Sequence, residues 1–168
     1  MKQSRLRLEH YNLMHLHLEP VIEAASVALG SYANFEQASF GSEVAMRPFT
    51  LQNDDVRYSV ELKLSASPKE GQKDFPYSIR IGLIGVFDGR SLPEEKRDQL
   101  VVVNGASMLY GIAREIVLSL TSRSVGGPVM LPTVEFSELG EDIDARQRRV
   151  ADAKQGNEAV ALEPPSIT

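Results

Sequence analysis

The stretch RLRLEHYNLMHLHLEP, residues 5–20, decides how the fold is read. Leu6, Leu8, Met14, Leu16 and Leu18 occupy even positions, while Arg5, Arg7, Glu9, His15, His17 and Glu19 occupy odd ones. A period of two is the repeat of a β-strand, whose successive side chains point to opposite faces. The stretch therefore predicts a long strand with one buried face, roughly 40 Å long at about 3.3 Å per residue, ended by Pro20. His10 and Asn12 interrupt the apolar row and mark a bend.

Outward from this strand, residues 20–41 show no sustained period. Val21, Ile22, Val27, Leu29, Tyr32, Phe35 and Phe40 are scattered among Ala, Ser and Gly. So long a connection inside a compact domain is uncommon and tends to be functional, and aromatics spread along it suit either a core or an adaptable binding surface. A second strand is expected over 44–51, with Pro48 placing it on an edge or at a bulge because proline cannot donate to a ladder. The turn Gln52-Asn53-Asp54-Asp55 leads into a third strand, in which Val56, Tyr58, Val60, Leu62, Leu64 and Ala66 alternate with Arg57, Ser59, Glu61, Lys63 and Ser65. After a polar loop around Gly71, Tyr77, Ile79, Ile81, Leu83 and Phe87 repeat every second residue. Ile84 and Val86 point the other way, which suggests cover on both faces.

Pro93-Glu94-Glu95 has the proline and acidic first turn of a helix start. Leu109, Ile112, Ala113, Ile116, Val117 and Leu120 then follow three-and-four spacing, with Gly105 and Gly111 allowing close approach and Leu118 widening the stripe. Gly126-Gly127-Pro128 ends this helix, and 129–136 reads as extended. A last helix over 140–155 has a thin apolar edge of Leu139, Ile143 and Val150, and the tail 156–168 with Pro164-Pro165 reads as disordered. The domain reading is one domain over 1–155 and the tail beyond it. Four antiparallel strands followed by helices make an α+β fold, with a long helix covering one sheet face. Such a layer buries its surface better as an oligomer, and closed two-fold assembly is the default.

The chain has 168 residues and a formal net charge of -5, which argues against nucleic acid as the main partner, since phosphate binding needs clustered Lys and Arg. Arg146, Arg148 and Arg149 do cluster, but Asp142, Asp144 and Asp152 flank them, as on a solvated helix face. No cysteine is present, which excludes disulfides, thiolate metal sites and a cysteine nucleophile. The N-terminus lacks the apolar core of a signal peptide, and no continuous run approaches about 18 apolar residues, so a cytoplasmic protein without membrane insertion is expected.

Motifs for chemistry are weak. His15, His17 and Glu19 share a strand face, a spacing that can ligate zinc, yet further ligands at a recognised spacing are missing, and the expectation is no metal and no cofactor. Gly105-Ala106-Ser107-Met108-Leu109 begins like a nucleophile elbow but lacks its second glycine and a later histidine. Gly82-Leu83-Ile84-Gly85 lies inside a strand and cannot cradle a phosphate. Catalytic residues are therefore not expected, and neither is an enzyme.

The helix and its sequel carry a resemblance: Met108-Leu109-Tyr110-Gly111-Ile112-Ala113-Arg114-Glu115-Ile116-Val117, then Ser122-Arg123, then Leu131-Pro132-Thr133-Val134-Glu135-Phe136. The Ala-Arg-Glu triplet, the arginine at the helix end and the proline-bearing loop closing on Val-x-Phe resemble the C-terminal half of the SecB export-chaperone family. The order of long strand, long crossover, hairpin, fourth strand and long helix extends the likeness to about residue 136. The resemblance implies a homotetramer, a dimer of dimers with helices between two eight-stranded sheets, that holds unfolded preproteins without ATP in grooves lined by the crossover and the helices. It also permits an antitoxin-guarding role.

Within that frame, Val27, Leu29, Tyr32, Phe35 and Phe40 are the expected client contacts, and Leu109, Ile112, Arg114, Glu115 and Ile116 the expected subunit interface. Typical members present acidic residues on the sheet face, and a characteristic tail, to the motor SecA. Here Met14, His15 and Leu16 stand in the first strand and the tail differs, so SecA as a partner is not supported. The competing reading is a hotdog-like thioesterase or small-ligand module, which also wraps a sheet around a long helix.

Overall fold

The computed structural model describes residues 4–21, 35–72, 75–141 and 143. Strands β1 (Arg7–Pro20), β2 (Ala38–Thr50), β3 (Val56–Pro68) and β4 (Tyr77–Asp88) form one antiparallel sheet in the order β1-β4-β3-β2, followed by helix α1 (Arg97–Thr121). This is the α+β layer expected from the pattern. Both β1 and β2 are outer strands of the sheet.

β3 and β4 form as their alternation demands. Tyr58, Val60, Leu62, Leu64 and Ala66 lie beside Phe87, Gly85, Leu83, Ile81 and Ile79 on the face toward α1, and all of these residues are buried. The β2–β3 hairpin turns through Asp54, whose φ of 61° is the left-handed conformation that a short polar side chain tolerates. The amide of Leu51 donates to the Asp55 carbonyl at 2.9 Å and closes the turn.

β1 departs from simple alternation. Its ladder with β4 skips from Leu8↔Phe87 to His10↔Val86 and from Leu13↔Leu83 to His15↔Gly82, so Glu9 and Met14 are each an extra residue. Each bulge reverses the parity of the strand. Opposed residues share a face, so Leu8, Tyr11, Leu13, Leu16 and Leu18 all look toward the helix layer, while His10, Asn12, His15 and His17 look outward. The bend at His10 and Asn12 is thus two bulges, with Tyr11 and Leu13 completing the apolar row. Met14, counted by parity with the buried set, is the second extra residue and is 52 % exposed.

The single buried face expected of this strand is not closed within the chain. α1 lies over β3 and β4, with lesser contact to β2. Tyr11, Leu13 and Leu16 therefore stay exposed beside it. The second strand also differs from expectation: it begins at Ala38, not residue 44, because β3 pairs with it continuously back to Ala38↔Pro68. Phe40 is consequently a strand residue, and Phe35 sits in the short 3-10 turn Phe35–Gln37 that precedes it.

Pro93 and the acidic Glu94, Glu95 and Asp98 open the helical segment, complementing the positive end of its dipole. Val101, Val102, Ala106, Leu109, Tyr110, Ala113 and Val117 form the buried stripe of α1. Gly105 sits at a close approach of the helix to the sheet, since a Cβ there would lie 3.0 Å from Val60 Cγ2. By length and composition alone the span Glu94–Thr121 could cross a membrane, but its stripe is the core of this sheet-and-helix layer.

Past α1 the chain returns along the helix. The buried Thr121 hydroxyl donates to the Val117 carbonyl at 2.7 Å and accepts from the Val129 amide at 2.9 Å. Tyr77 donates to the Gly127 carbonyl at 2.9 Å, and Tyr110 donates to the Pro132 carbonyl. The rings of Tyr110 and Phe136 meet edge to face at 5.7 Å. Residues 137–141 are helical, with Gly140 against Gln99 and Val103. The rest of the helix expected over 140–155, and the tail, lie outside the described residues.

Candidate functional site

The returning segment and the outer strand β2 leave a groove between them. Phe40, Ser42 and Val44 from β2 form one wall, and Val134, Glu135, Phe136, Glu138 and Leu139 form the other, around about 420 Å³. The β2 wall arises because the even residues of β2 pair with Ala66, Leu64 and Leu62 and so share the helix-side face. The far wall is fixed by the bond of Tyr110 to the Pro132 carbonyl and by the Tyr110–Phe136 ring contact. Burial pushes the Tyr110 phenol up to about 12, so it remains a hydrogen-bond donor through the neutral range.

The floor is apolar and the rim is not. Phe40, Val44, Val134 and Leu139 are half-buried and pack against the core from its edge, whereas Ser42, Glu135 and Glu138 are exposed. An apolar trough with a polar, acidic rim can hold an apolar chain segment while remaining wetted at its border.

Of the five expected client contacts, Val27, Leu29 and Tyr32 lie outside the described residues. Phe40 is in the groove. Phe35 packs edge to face on Phe40 at 6.2 Å and on the fully buried Phe75 at 4.9 Å, and so ties the end of β2 to the core. Val44, Val134, Phe136 and Leu139 are groove residues that the sequence reading did not single out as contacts. The apolar-x-apolar run Val134-Glu135-Phe136 was the available signal.

Of the five expected interface residues, Leu109 is fully buried in the chain's own core. Ile112, Arg114 and Ile116 are half-buried and Glu115 is exposed on the outer side of α1. Gly111, Arg114, Glu115, Leu118 and Met130 line an open depression of about 280 Å³ there.

The opposite sheet face is polar. His15, Gly41, Glu43, Lys63, Ser65 and Arg80 of this face, together with Ser42 and Leu64 of the helix-side set, line a shallow hollow of about 270 Å³. The His15 ring lies directly over Gly82, where a Cβ would come within 2.3 Å of it. His17 lies 3.3 Å from Glu19. Among the described residues no group of three His, Cys, Asp or Glu side chains is arranged to hold a metal ion. These histidines lie on the face away from the groove, so an imidazole does not accompany the groove carboxylates Glu135 and Glu138.

One end of that polar face is braced by charge. The Arg57 guanidinium, with only 7 % of its side chain exposed, lies 3.0 Å from Glu9 and 3.6 Å from Asp55. Arg90 continues the chain of charges, 2.7 Å from Asp55 and 2.9 Å from Asp88. The hydrogen bond from Arg90 holds the Asp88 carboxyl well below its usual range, at about 2. The first bulge has a purpose here, since Glu9, the extra residue, reaches across β4 to β3.

Comparison with known proteins adds the family. A family model described as Preprotein translocase subunit SecB matches residues 27–147, more than half of the chain. The protein-export protein SecB of Chromobacterium violaceum is 28 % identical over 122 residues, which cover 73 % of this chain and 77 % of that protein. That of Azoarcus sp. is 26 % identical over 110 residues, covering 66 % and 68 %. A solved SecB-like chaperone from Mycobacterium tuberculosis, in complex with an antitoxin peptide, has a TM-score of 0.48 at 15 % identity and covers 79 % of this chain and 92 % of its own. The family match takes in β2, β3, β4, α1 and both walls of the groove, and on that match this chain belongs to the SecB family.

Proposed function

We propose that the protein is an ATP-independent holding chaperone that keeps non-native polypeptides extended in the groove between β2 and residues 134–139. The observation that carries this reading is the groove itself, apolar along its floor and polar at its rim, at the sheet's outer edge. A groove built from several aliphatic and aromatic side chains and few fixed polar groups favours apolar segments of many sequences over one ligand.

The working form is a homotetramer in the cytoplasm. Support comes from the uncovered row Tyr11, Leu13 and Leu16 on the outer strand β1, and from the partly apolar outer side of α1 at Ile112, Ile116 and Leu118. A second copy would cover each of them. The first client class is preproteins awaiting export, following the relatives named protein-export protein SecB. Delivery to SecA through acidic contacts on the sheet face is not favoured, because His15, Lys63 and Arg80 gather there beside Glu43.

The test is suppression of aggregation of a reduced, unfolded protein without nucleotide, alongside native mass measurement. The parent protein is expected to run as a tetramer and bind the client. Val44→Asp with Val134→Asp should abolish holding while leaving the far-ultraviolet circular dichroism unchanged. A parent protein that leaves aggregation unaffected would overturn the proposal.

A further inference from the structure

The two bulges of β1 gather every histidine of the chain on one surface. Under simple alternation His10 would face the helix layer while His15 and His17 faced away from it, because their positions differ in parity. The bulge at Glu9 reverses the phase and the bulge at Met14 restores it, so all three look outward, opposite Val86, Gly82 and Arg80. Arg7, opposite Asp88, shares the face. The result is a stripe of Arg7, His10, His15 and His17 on β1 with Arg80 beside it on β4. Measured along β4 from Arg80 to Asp88, it is about 26 Å long at about 3.3 Å per residue.

Neighbouring carboxylates do not neutralise this stripe. Glu9 and Asp55 are engaged by Arg57, Asp88 by Arg90, and Glu61 by Lys63. Glu19, at the end of β1, lies 3.3 Å from His17. Glu43 and Arg47 add one charge of each sign on the outward side of β2. Among the described residues the side chains of Arg7 and Arg80 have no ion-pair or hydrogen-bond partner. In a chain with a formal net charge of -5, the outward side of β1 and β4 is thus a local excess of positive charge. The hollow beside His15, Lys63, Ser65 and Arg80 gives this excess a seat. Small residues make the room: the His15 ring occupies the place that a Cβ on Gly82 would take, and Gly41 lies opposite Ser65, whose Oγ a Cβ there would meet at 3.0 Å. A carboxylate in the hollow meets the Arg80 guanidinium, the Ser65 hydroxyl and the His15 ring, while Glu43 on the β2 rim turns it toward β4.

We propose that this stripe docks an acidic, extended segment of a partner protein, laid along β1 and β4 with one carboxylate seated in the hollow at Arg80. The charge match favours this occupant, and the stripe lies on the face opposite Tyr11, Leu13 and Leu16, so a second copy covering that apolar row leaves it open. Docking is graded by pH. Histidine gains its charge between about pH 8 and pH 5, whereas arginine, lysine and carboxylate side chains ordinarily keep theirs over that range. The groups facing the histidines, Arg7 and Glu19 on β1, Arg80 on β4, Lys63 on β3 and Glu43 on β2, therefore form a constant background, as do the engaged pairs around Arg57 and Arg90. Falling pH adds positive charge to the stripe alone. The inference is independent of the groove, whose rim carries Glu135 and Glu138 and repels an acidic segment.

The experiment measures binding of two fluorescent peptides to the intact protein at low salt, one of alternating glutamate and serine and one of alternating lysine and serine. The acidic peptide is expected to bind, about fivefold more tightly at pH 6.0 than at pH 7.5, and to be released by salt; the basic peptide is expected not to bind. Arg80→Glu should weaken binding of the acidic peptide by about tenfold at both pH values, because it reverses the charge at the seat. Changing His10, His15 and His17 together to Gln should remove the pH dependence and leave the binding at pH 7.5. Both variants alter outward side chains and should still hold an unfolded client, which separates failure of this docking from failure of the groove. Preference for the basic peptide, full binding by Arg80→Glu, or a pH dependence that survives without the histidines would overturn the proposal. Tighter binding of a single-stranded oligonucleotide than of the acidic peptide, or self-association through this face at pH 6.0, would overturn it in favour of those occupants.

Discussion

Leu13→Glu and Asn12→Glu separate the bulged strand from a regular one. By simple alternation Asn12 belongs to the apolar row and Leu13 to the polar face; by the observed register it is the reverse, with Leu13 opposite Leu83 and Asn12 opposite Ile84. Leu13 is 45 % exposed in the isolated subunit, so covering it with a second copy contributes about 1 kcal/mol per subunit, taking full burial of leucine at about 1.5–3 kcal/mol. Glutamate forfeits that and adds an unpaired carboxylate at a desolvated contact, about 2 kcal/mol or more each. A two-fold contact counts both subunits, for about 6 kcal/mol, or roughly ten-thousandfold in the dissociation constant. Asn12→Glu changes an outward side chain and should stay within about 0.5 kcal/mol. Sedimentation or native mass measurement from nanomolar to micromolar protein reads both variants. Dissociation by Asn12→Glu but not by Leu13→Glu would refute the register, and intact assemblies from both would refute burial of this row between subunits.

Asp88→Asn tests the charge brace. A carboxyl held at about 2 against 3.8 has a depressed pKa, so its stabilisation is complete above 3.8 and is lost as pH falls through about 2. Urea unfolding should show a cost of about 1–2 kcal/mol at neutral pH that vanishes near pH 2; a cost independent of pH would contradict the assignment. Thr121→Val leaves the Val129 amide unpaired in the core and should lower stability by about 1–3 kcal/mol, with faster hydrogen exchange in 129–136 as its signature. Gly126→Ala would set a Cβ 2.8 Å from Tyr77 Cζ and 2.9 Å from Pro76 Cβ, at an expected cost of about 2 kcal/mol in thermal or chemical unfolding. An unchanged midpoint would mean that the turn after α1 is not seated on Tyr77 as described.

What could be read from the chain follows from how local each signal is. β3, β4 and α1 carry their own periods, because each buries a full face against neighbours already beside it, and every second residue or every third and fourth must comply. β1 carries its period only at its ends. A bulge is set by the partner strand, and neither Glu9 nor Met14 differs in residue type from a regular strand position; the mark it leaves is a row of Leu, Tyr and Leu that changes parity twice. The start of β2 was hidden for a related reason, since Ala38, Ser39 and Gly41 are poor strand formers and are held there by pairing with residues 65–68 of β3. The groove was the least legible part. Its walls come from residues about 95 positions apart, Phe40 and Val44 against Val134 and Leu139, joined through Tyr110, whose bond to Pro132 places the far wall.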